Sequence, residues 1–305
     1  MNITRNDVDN DFMQLKGLMK VGNDLNPSYF STYDNIYLFT NDRLKDIFEP
    51  LDVTQGILTV TGSGDQALMA ILKGAKNVKM FDINKLAKYF ALFKFSAVSC
   101  LSYDEFIKLY KINKPFSNYV AGGFLTNVDT DLYEKVCSNL ENTVSHFFEL
   151  LFDVMINATA CEKFNLINVK HYPKLSGYLT RKNYEKLQEN MKKLTSVDFI
   201  DCNIFDLNKN LGNEKYSAMV FSNISSYFSK CELQNFLKLL KQLELKLTCG
   251  GLIQAGYGVK KRNNNDFNIG KRGLDTRFVD ANKSCFFEKQ SHGMTITYYK
   301  PNKRK

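Results

Sequence analysis

The residues best suited to chemistry lie close together. The turn Gly62-Ser63-Gly64-Asp65 follows the β-rich run Ile57-Leu58-Thr59-Val60-Thr61, and Asp82 closes a hydrophobic run twenty residues after Gly62. Glycines lack a Cβ, so the backbone can turn sharply there and approach a ligand closely. An acid at the carboxyl end of the next strand can accept hydrogen bonds from both hydroxyls of a ribose. Gln66 and Ala67 follow Asp65, so the third glycine of a dinucleotide fingerprint is absent and NAD is disfavoured. No Gly-Lys-Ser/Thr follows either, which excludes a P-loop.

These residues need a scaffold, and the flanking pattern supplies one. Gln66–Lys73 reads as a helix stopped by Gly74, and Asn77–Asp82 as a second strand, together a βαβ unit of ordinary size. Asp65 is expected to cap the helix after the turn, and Asn41-Asp42 to cap a short helix stopped by Pro50. Asn84 caps a long helix whose apolar stripe runs through Leu86, Phe90, Phe93 and Ala97, and Ser102 caps another. Residues 111–195 carry helical patterns and no strand. Strands resume at Val197–Cys202, Tyr216–Phe221 and Leu252–Tyr257, with a helix from Lys230 to about Leu247 and a terminal hairpin around Cys285–Phe287 and Met294–Tyr299. The alternation predicts an α/β, Rossmann-like, mostly parallel sheet with a large helical insertion. The expected division is an N-terminal helical lead (1–50), a core (51–110 and 196–305) and the insertion (111–195).

Ligands of open α/β sheets sit at the carboxyl ends of the strands, which places Gly62, Asp82, Asn203 and Asn223 on one rim. A nucleoside without phosphates fits this set, and S-adenosylmethionine (SAM) is the common one. The expected binding residues are Thr61, Gly62, Ser63, Gly64, Asp65, Asp82, Ile83 and Asn84 along the first two strand ends. Asn203, Ile204 and Phe205 would border adenine, and Ser222 and Asn223 would face the sulfonium or the acceptor. Ser222, Asn223 and Tyr227 are the candidate catalytic residues, with Tyr178 and Lys94 as further acceptor-side groups. Each also has a structural reading: a turn and a cap, core packing for Ile204 and Phe205, a core or surface tyrosine, a solvated lysine.

Composition narrows the classes. With 305 residues, 44% hydrophobic and 24% charged, the chain is neither disordered nor a disulfide scaffold. Seven scattered cysteines without a C-x-x-C pair and three distant histidines disfavour a zinc site, and no metal is expected. No apolar run is long enough for a spanning helix, and MNITRNDVDNDFMQLKG lacks the apolar region of a secretory signal, so a cytoplasmic location is expected. The 41 basic against 32 acidic residues give a charge of +9. Part of the excess lies in Lys260-Lys261-Arg262, Lys271-Arg272 and Lys303-Arg304-Lys305, a possible contact for an anionic membrane or nucleic acid.

The run Ile57–Leu68 resembles the first motif of the SAM-dependent 3-amino-3-carboxypropyltransferases of betaine-lipid (diacylglyceryl-homoserine) synthesis, within the class I methyltransferase-like superfamily. The likeness continues through Phe81-Asp82-Ile83-Asn84, Leu92-Phe93-Lys94, Leu101–Phe106 and Phe221-Ser222-Asn223-Ile224, in order and spacing from about residue 51 to 257. Lipid-forming relatives have Ser-Asp where this chain has Ser222-Asn223. The resemblance implies SAM as co-substrate, transfer of its 3-amino-3-carboxypropyl group with release of methylthioadenosine, and a small-molecule or lipid acceptor. Methyl transfer to a small molecule, lipid or RNA is the alternative, and a non-catalytic polyanion- or membrane-binding module the alternative of another class.

Overall fold

A computed structural model describes residues 3–21, 37–112, 128–157, 173–259 and 276–301. The three basic clusters lie outside these residues. Seven strands form one sheet in the order β3-β2-β1-β4-β5-β7-β6. They are β1 (Ile57–Val60), β2 (Asn77–Asp82), β3 (Ser196–Asp201), β4 (Tyr216–Val220), β5 (Leu247–Val259), β6 (Phe286–Ser291) and β7 (Met294–Tyr299). The first five run parallel, and β7 lies antiparallel between β5 and β6. This is the expected Rossmann-like α/β sheet. The terminal hairpin turns at His292 and Gly293, both with positive φ (45° and 81°), the backbone that a two-residue hairpin loop requires.

The helices are α1 (Arg5–Val21), α2 (Leu44–Phe48), α3 (Asp65–Leu72), α4 (Lys85–Cys100), α5 (Tyr103–Leu109), α6 (Thr130–Cys137), α7 (Asn142–Asn157), α8 (Arg181–Met191), α9 (Leu207–Asn210), α10 (Lys230–Leu243) and α11 (Thr276–Ala281). Period-two alternation divides the strand residues between two faces. Ile57, Val78, Met80, Ala218 and Val220 join the cluster built with α1, α3, α4, α7 and α8. Leu58, Phe81, Met219, Phe221 and Ile253 join Leu233, Phe236 and Leu240 of α10 on the opposite face. Within the first cluster Phe147 of α7 stacks on Tyr89 of α4 at 4.2 Å and meets Phe12 of α1 edge-on at 6.0 Å. Helix α8 closes the ends of two neighbours. Its Asn190 amide donates to the carbonyls of Ile71 (2.9 Å) and Leu72 (3.1 Å), and its Gln188 amide to Val98 and Leu101 (2.8 Å each). Carbonyls at helix ends lack an intrahelical partner, and these amides supply one.

Local signals place most boundaries. The Asn84 side chain accepts from the Leu86 amide (3.0 Å), and Ser102 and Glu105 form a capping box. Helix α10 starts at a second such box, Ser229 with Glu232, and ends at Leu243, earlier than its pattern suggests, because a 3-10 turn (Glu244–Lys246) leads straight into β5. Two expected caps are corrected. Helix α2 is preceded by Arg43, with no side-chain cap, because the Asp42 carboxylate turns inward instead. Helix α3 is preceded by Gly64 in the left-handed conformation, and Asp65 is its first residue. The N-terminal lead, expected as short helices, begins with a 17-residue one. It is tied to the far end of the chain, since the Tyr298 hydroxyl of β7 donates to the carbonyl of Ile47 in α2 (2.7 Å).

Candidate active site

A cavity of about 440 Å³ opens at the carboxyl ends of β1, β2, β3 and β4, with Tyr37, Thr40 and Asn41 of the N-terminal lead on its border. That volume is in the range of small-molecule sites. On one side the turn after β1 meets the end of β2. Gly62 has φ of +48°, and a Cβ there would meet only the Gln66 side-chain oxygen at 3.9 Å, so the backbone is open to the cavity. Its amide donates to Asp82 Oδ2 (2.9 Å), and the Asn84 amide donates to Asp82 Oδ1 (3.0 Å). Burial pushes the Asp82 carboxyl up to about 6, helped by the nearby Asp201 charge and opposed by the Asn84, Gly62 and Ile83 amides. Ser63, Ile83 and Asn84 also line this side.

Across the cavity lies an apolar slot. Ile204 and Phe205 face Ile224 and Phe228, and the Phe205 and Phe228 rings meet at 5.1 Å. Asn203 borders the slot, with its side-chain oxygen accepting from the Phe205 amide (3.0 Å). That cap fixes the carboxamide and leaves its NH₂ as the group available to a ring nitrogen. Cys202 also lines the cavity, and burial raises its thiol to about 11, so it stays protonated near neutral pH.

The third wall is the end of β4. Ser222, Asn223 and Tyr227 border the cavity, and Tyr227 is 37% exposed. Ser222 has φ of +53°, a strained conformation for a residue with a Cβ. Its backbone is held because Gln254 Nε2 donates to the Ser222 carbonyl (3.0 Å), and its hydroxyl donates to Asp42 Oδ2. Asp42 Oδ2 also accepts from Gln66 Nε2 (3.0 Å), while its buried Oδ1 has no hydrogen-bond partner among the described residues. Burial raises the Asp42 carboxyl, and the Ser222, Tyr257 and Gln66 side chains pull the other way. Because the Gln66 NH₂ is committed to Asp42, its buried oxygen is left without a protein partner, on the lining beside Gly62. Asp42 and Gln66 escape sequence reasoning as site residues. Asp42 looks like a helix cap, and its serine partner lies 180 positions away.

Thr61, Gly64 and Asp65, expected among the binding residues, do not line the cavity. Gly64 packs against α4, where a Cβ would lie 3.1 Å from the Ala91 Cβ and 3.2 Å from its Cα. Thr61 is fully buried, with its amide bonded to the Phe81 carbonyl (2.8 Å). Asp65 is fully buried too, and its carboxylate accepts from Lys94 Nζ (2.7 Å), the Tyr178 hydroxyl (2.7 Å) and the Thr40 amide (2.6 Å). Lys94 is therefore neither solvated nor on the acceptor side. It is 1% exposed, donates to the carbonyls of Ser63 and Leu38, and lies 4.5 Å over the Phe39 ring. Burial lowers its ammonium pKa, and the Asp65 charge opposes that shift. Tyr178 is a core tyrosine, not a surface one. A lysine in line with Phe90, Phe93 and Ala97 of an apolar stripe was the available signal for a buried ion pair.

Among the described residues no group of His, Cys, Asp and Glu is placed to hold a metal ion, and no helix is long and apolar enough to cross a membrane. Comparison with known proteins adds little to this geometry. No protein-family model matches the chain, and no curated protein does. Among solved structures, two of the rRNA methyltransferase aviRa from Streptomyces viridochromogenes align with TM-scores of 0.40 and 0.41. Their identities are 9% and 10%, and each alignment covers 84% of this chain and 81% of that one. Values this low carry no role from that protein to this chain.

Proposed function

We propose that the chain is a SAM-dependent transferase, and that it moves the 3-amino-3-carboxypropyl group of SAM to a small-molecule or lipid acceptor. The observation that carries the SAM reading is the pairing of Gly62 and Asp82 on the rim of a cavity that is also lined by the apolar side chains of Ile204, Phe205, Ile224 and Phe228. Each Asp82 oxygen accepts one backbone amide and keeps a lone pair for a ribose hydroxyl. Open space at Gly62 admits the ligand, and the unpartnered Gln66 oxygen suits the ammonium of the methionine end. Ile204 and Phe205 would flank adenine, while Asn203 donates to its edge. The choice of transferred group rests on the motif resemblance from Ile57 to Ile224.

SAM supplies a carbon made electrophilic by a cationic sulfur, so displacement needs an acceptor held in line with that carbon. The protein's part is then placement. Asp82 and Asn203 would fix the nucleoside, and Ser222, Asn223 and Tyr227 border the space left for the acceptor. Calorimetry with SAM tests the binding, and Asp82→Ala should weaken it about a hundredfold through loss of charge-assisted hydrogen bonds. Mass spectrometry of turnover with candidate acceptors tests the chemistry. Methylthioadenosine supports aminocarboxypropyl transfer, and S-adenosylhomocysteine would establish methyl transfer instead. No heat with SAM, together with salt-dependent binding to a polyanion, would replace the reading by a non-catalytic module.

A further inference from the structure

The polar atoms at the end of β4 share one organiser that does not itself reach the cavity. Asp42 is 0% exposed and is absent from the lining, yet two side chains give its Oδ2 hydrogen bonds. They are the hydroxyl of Ser222 and the amide of Gln66. Both of these side chains line the cavity. A serine hydroxyl has one hydrogen, and a carboxamide has a donor end and an acceptor end. A donor spent on Asp42 cannot point into the cavity, so what remains on that side is the Ser222 lone pairs and the Gln66 oxygen. The second of these is a buried acceptor with no partner in the protein, a condition that a ligand donor would relieve. The strained φ of +53° at Ser222 is a second, independent sign that this side chain is held in place for a purpose.

We propose that Asp42 is a positioning residue: it commits the hydrogens of Ser222 and Gln66 inward and so leaves two fixed acceptors, the Ser222 hydroxyl oxygen and the Gln66 carboxamide oxygen, toward the cavity. That pair recognises a cation or a hydrogen-bearing group, and disfavours a carbonyl or carboxylate oxygen placed directly against it. Resting on the SAM reading above, it assigns the chemical class of the acceptor. The nucleophile brought to this wall is an amine or a hydroxyl whose hydrogen bonds to Ser222. A carboxylate nucleophile would leave Ser222 facing lone pair against lone pair.

The test compares two nucleoside ligands that differ at the sulfonium position, next to the carbon that is transferred. S-adenosylhomocysteine carries a neutral thioether there, whereas sinefungin carries an amine on carbon in its place, protonated near neutral pH. The native protein should bind sinefungin about tenfold more tightly, from a hydrogen bond between a charged donor and a fixed acceptor. Asp42→Asn introduces a donor that forces one of its former partners to turn. It should abolish most of that preference while S-adenosylhomocysteine affinity stays within about threefold. Ser222→Ala should reduce the preference in the same way, and it does not depend on Asp42→Asn folding. Equal affinity of the native protein for the two ligands would overturn the inference, as would a uniform loss for both ligands in Asp42→Asn. Failure of the native protein to bind either nucleoside would instead remove the SAM reading, and this inference with it.

Discussion

The turn after β1 is divided between two tasks, and its two ends make an instructive contrast. At the first end, Gly62 has open space where a Cβ would go and gives its amide to Asp82 on the cavity rim. At the second, Gly64 presses on Ala91, and Asp65 disappears into a cluster with Lys94, Tyr178 and the Thr40 amide. The acids behind the two ends differ in the same way. Asp65 is neutralised by a buried cation, whereas Asp42 is held by two neutral donors, the Ser222 hydroxyl and the Gln66 amide, that also touch the cavity. A carboxylate closed by an ion pair serves the frame. One held by a hydroxyl and an amide can pass its orientation on to a ligand.

The contrast breaks most severely at Lys94. Lys94→Met leaves Asp65 buried without its cation, and urea unfolding should show a loss of about 3–5 kcal/mol. A loss below about 1 kcal/mol would mean that the ion pair does not hold the frame. The glycines come next. Gly64→Ala combines left-handed strain with contact against the backbone of α4 and should lower stability by about 2–3 kcal/mol. Gly62→Ala carries the strain alone, about 1–2 kcal/mol, but its methyl enters the cavity and should weaken SAM binding. Equal stability losses for the two would erase the distinction drawn between them.

Protonation sharpens the comparison further. The Asp82 carboxyl lies near 6, above its ordinary value of 3.8, and only the ionised form accepts from both ribose hydroxyls. SAM affinity should therefore be level above about pH 7 and fall toward tenfold per unit below about pH 6. Asp82→Asn should flatten that profile by calorimetry. Stability runs in the opposite sense. A folded value above the unfolded one means the native state binds the proton more tightly, so this contribution is present below about pH 4 and fades as pH rises through 6. The smallest effect belongs to a site off the cavity lining. Ser102→Ala should remove about 1 kcal/mol of stability through its capping box and leave SAM affinity unchanged.

Much of the frame was legible because its signals are local. The β1 turn, Asp82 at the end of β2, the Asn84 and Ser102 caps and the terminal hairpin all depend on residues a few positions apart. Ser63, Ile83, Asn203, Ile204, Phe205, Ser222, Asn223 and Tyr227 come together on the cavity as the strand-end rule places them. What escaped depends on distant partners. A glycine shows that a turn is tight, not which neighbour it touches, so Gly64 reads the same as Gly62 until α4 is in place. Asp42 before a short helix reads as a cap, because Ser222 and Tyr257 are reached only after the sheet is assembled. Gln66 was legible as a helical residue, but the direction of its amide follows from Asp42.

The hydrogen bond from Tyr298 to Ile47 bears on the order of events in time. It joins residues 251 positions apart, and it anchors the short helix that follows Asp42. Contacts this far apart close late, because the chain must give up the entropy of a long loop before they form. The βαβ unit can therefore gather early from neighbouring residues, while Asp42 must wait for Ser222, 180 positions on. A newly made chain should gain its local frame before it closes the contacts that join its distant parts.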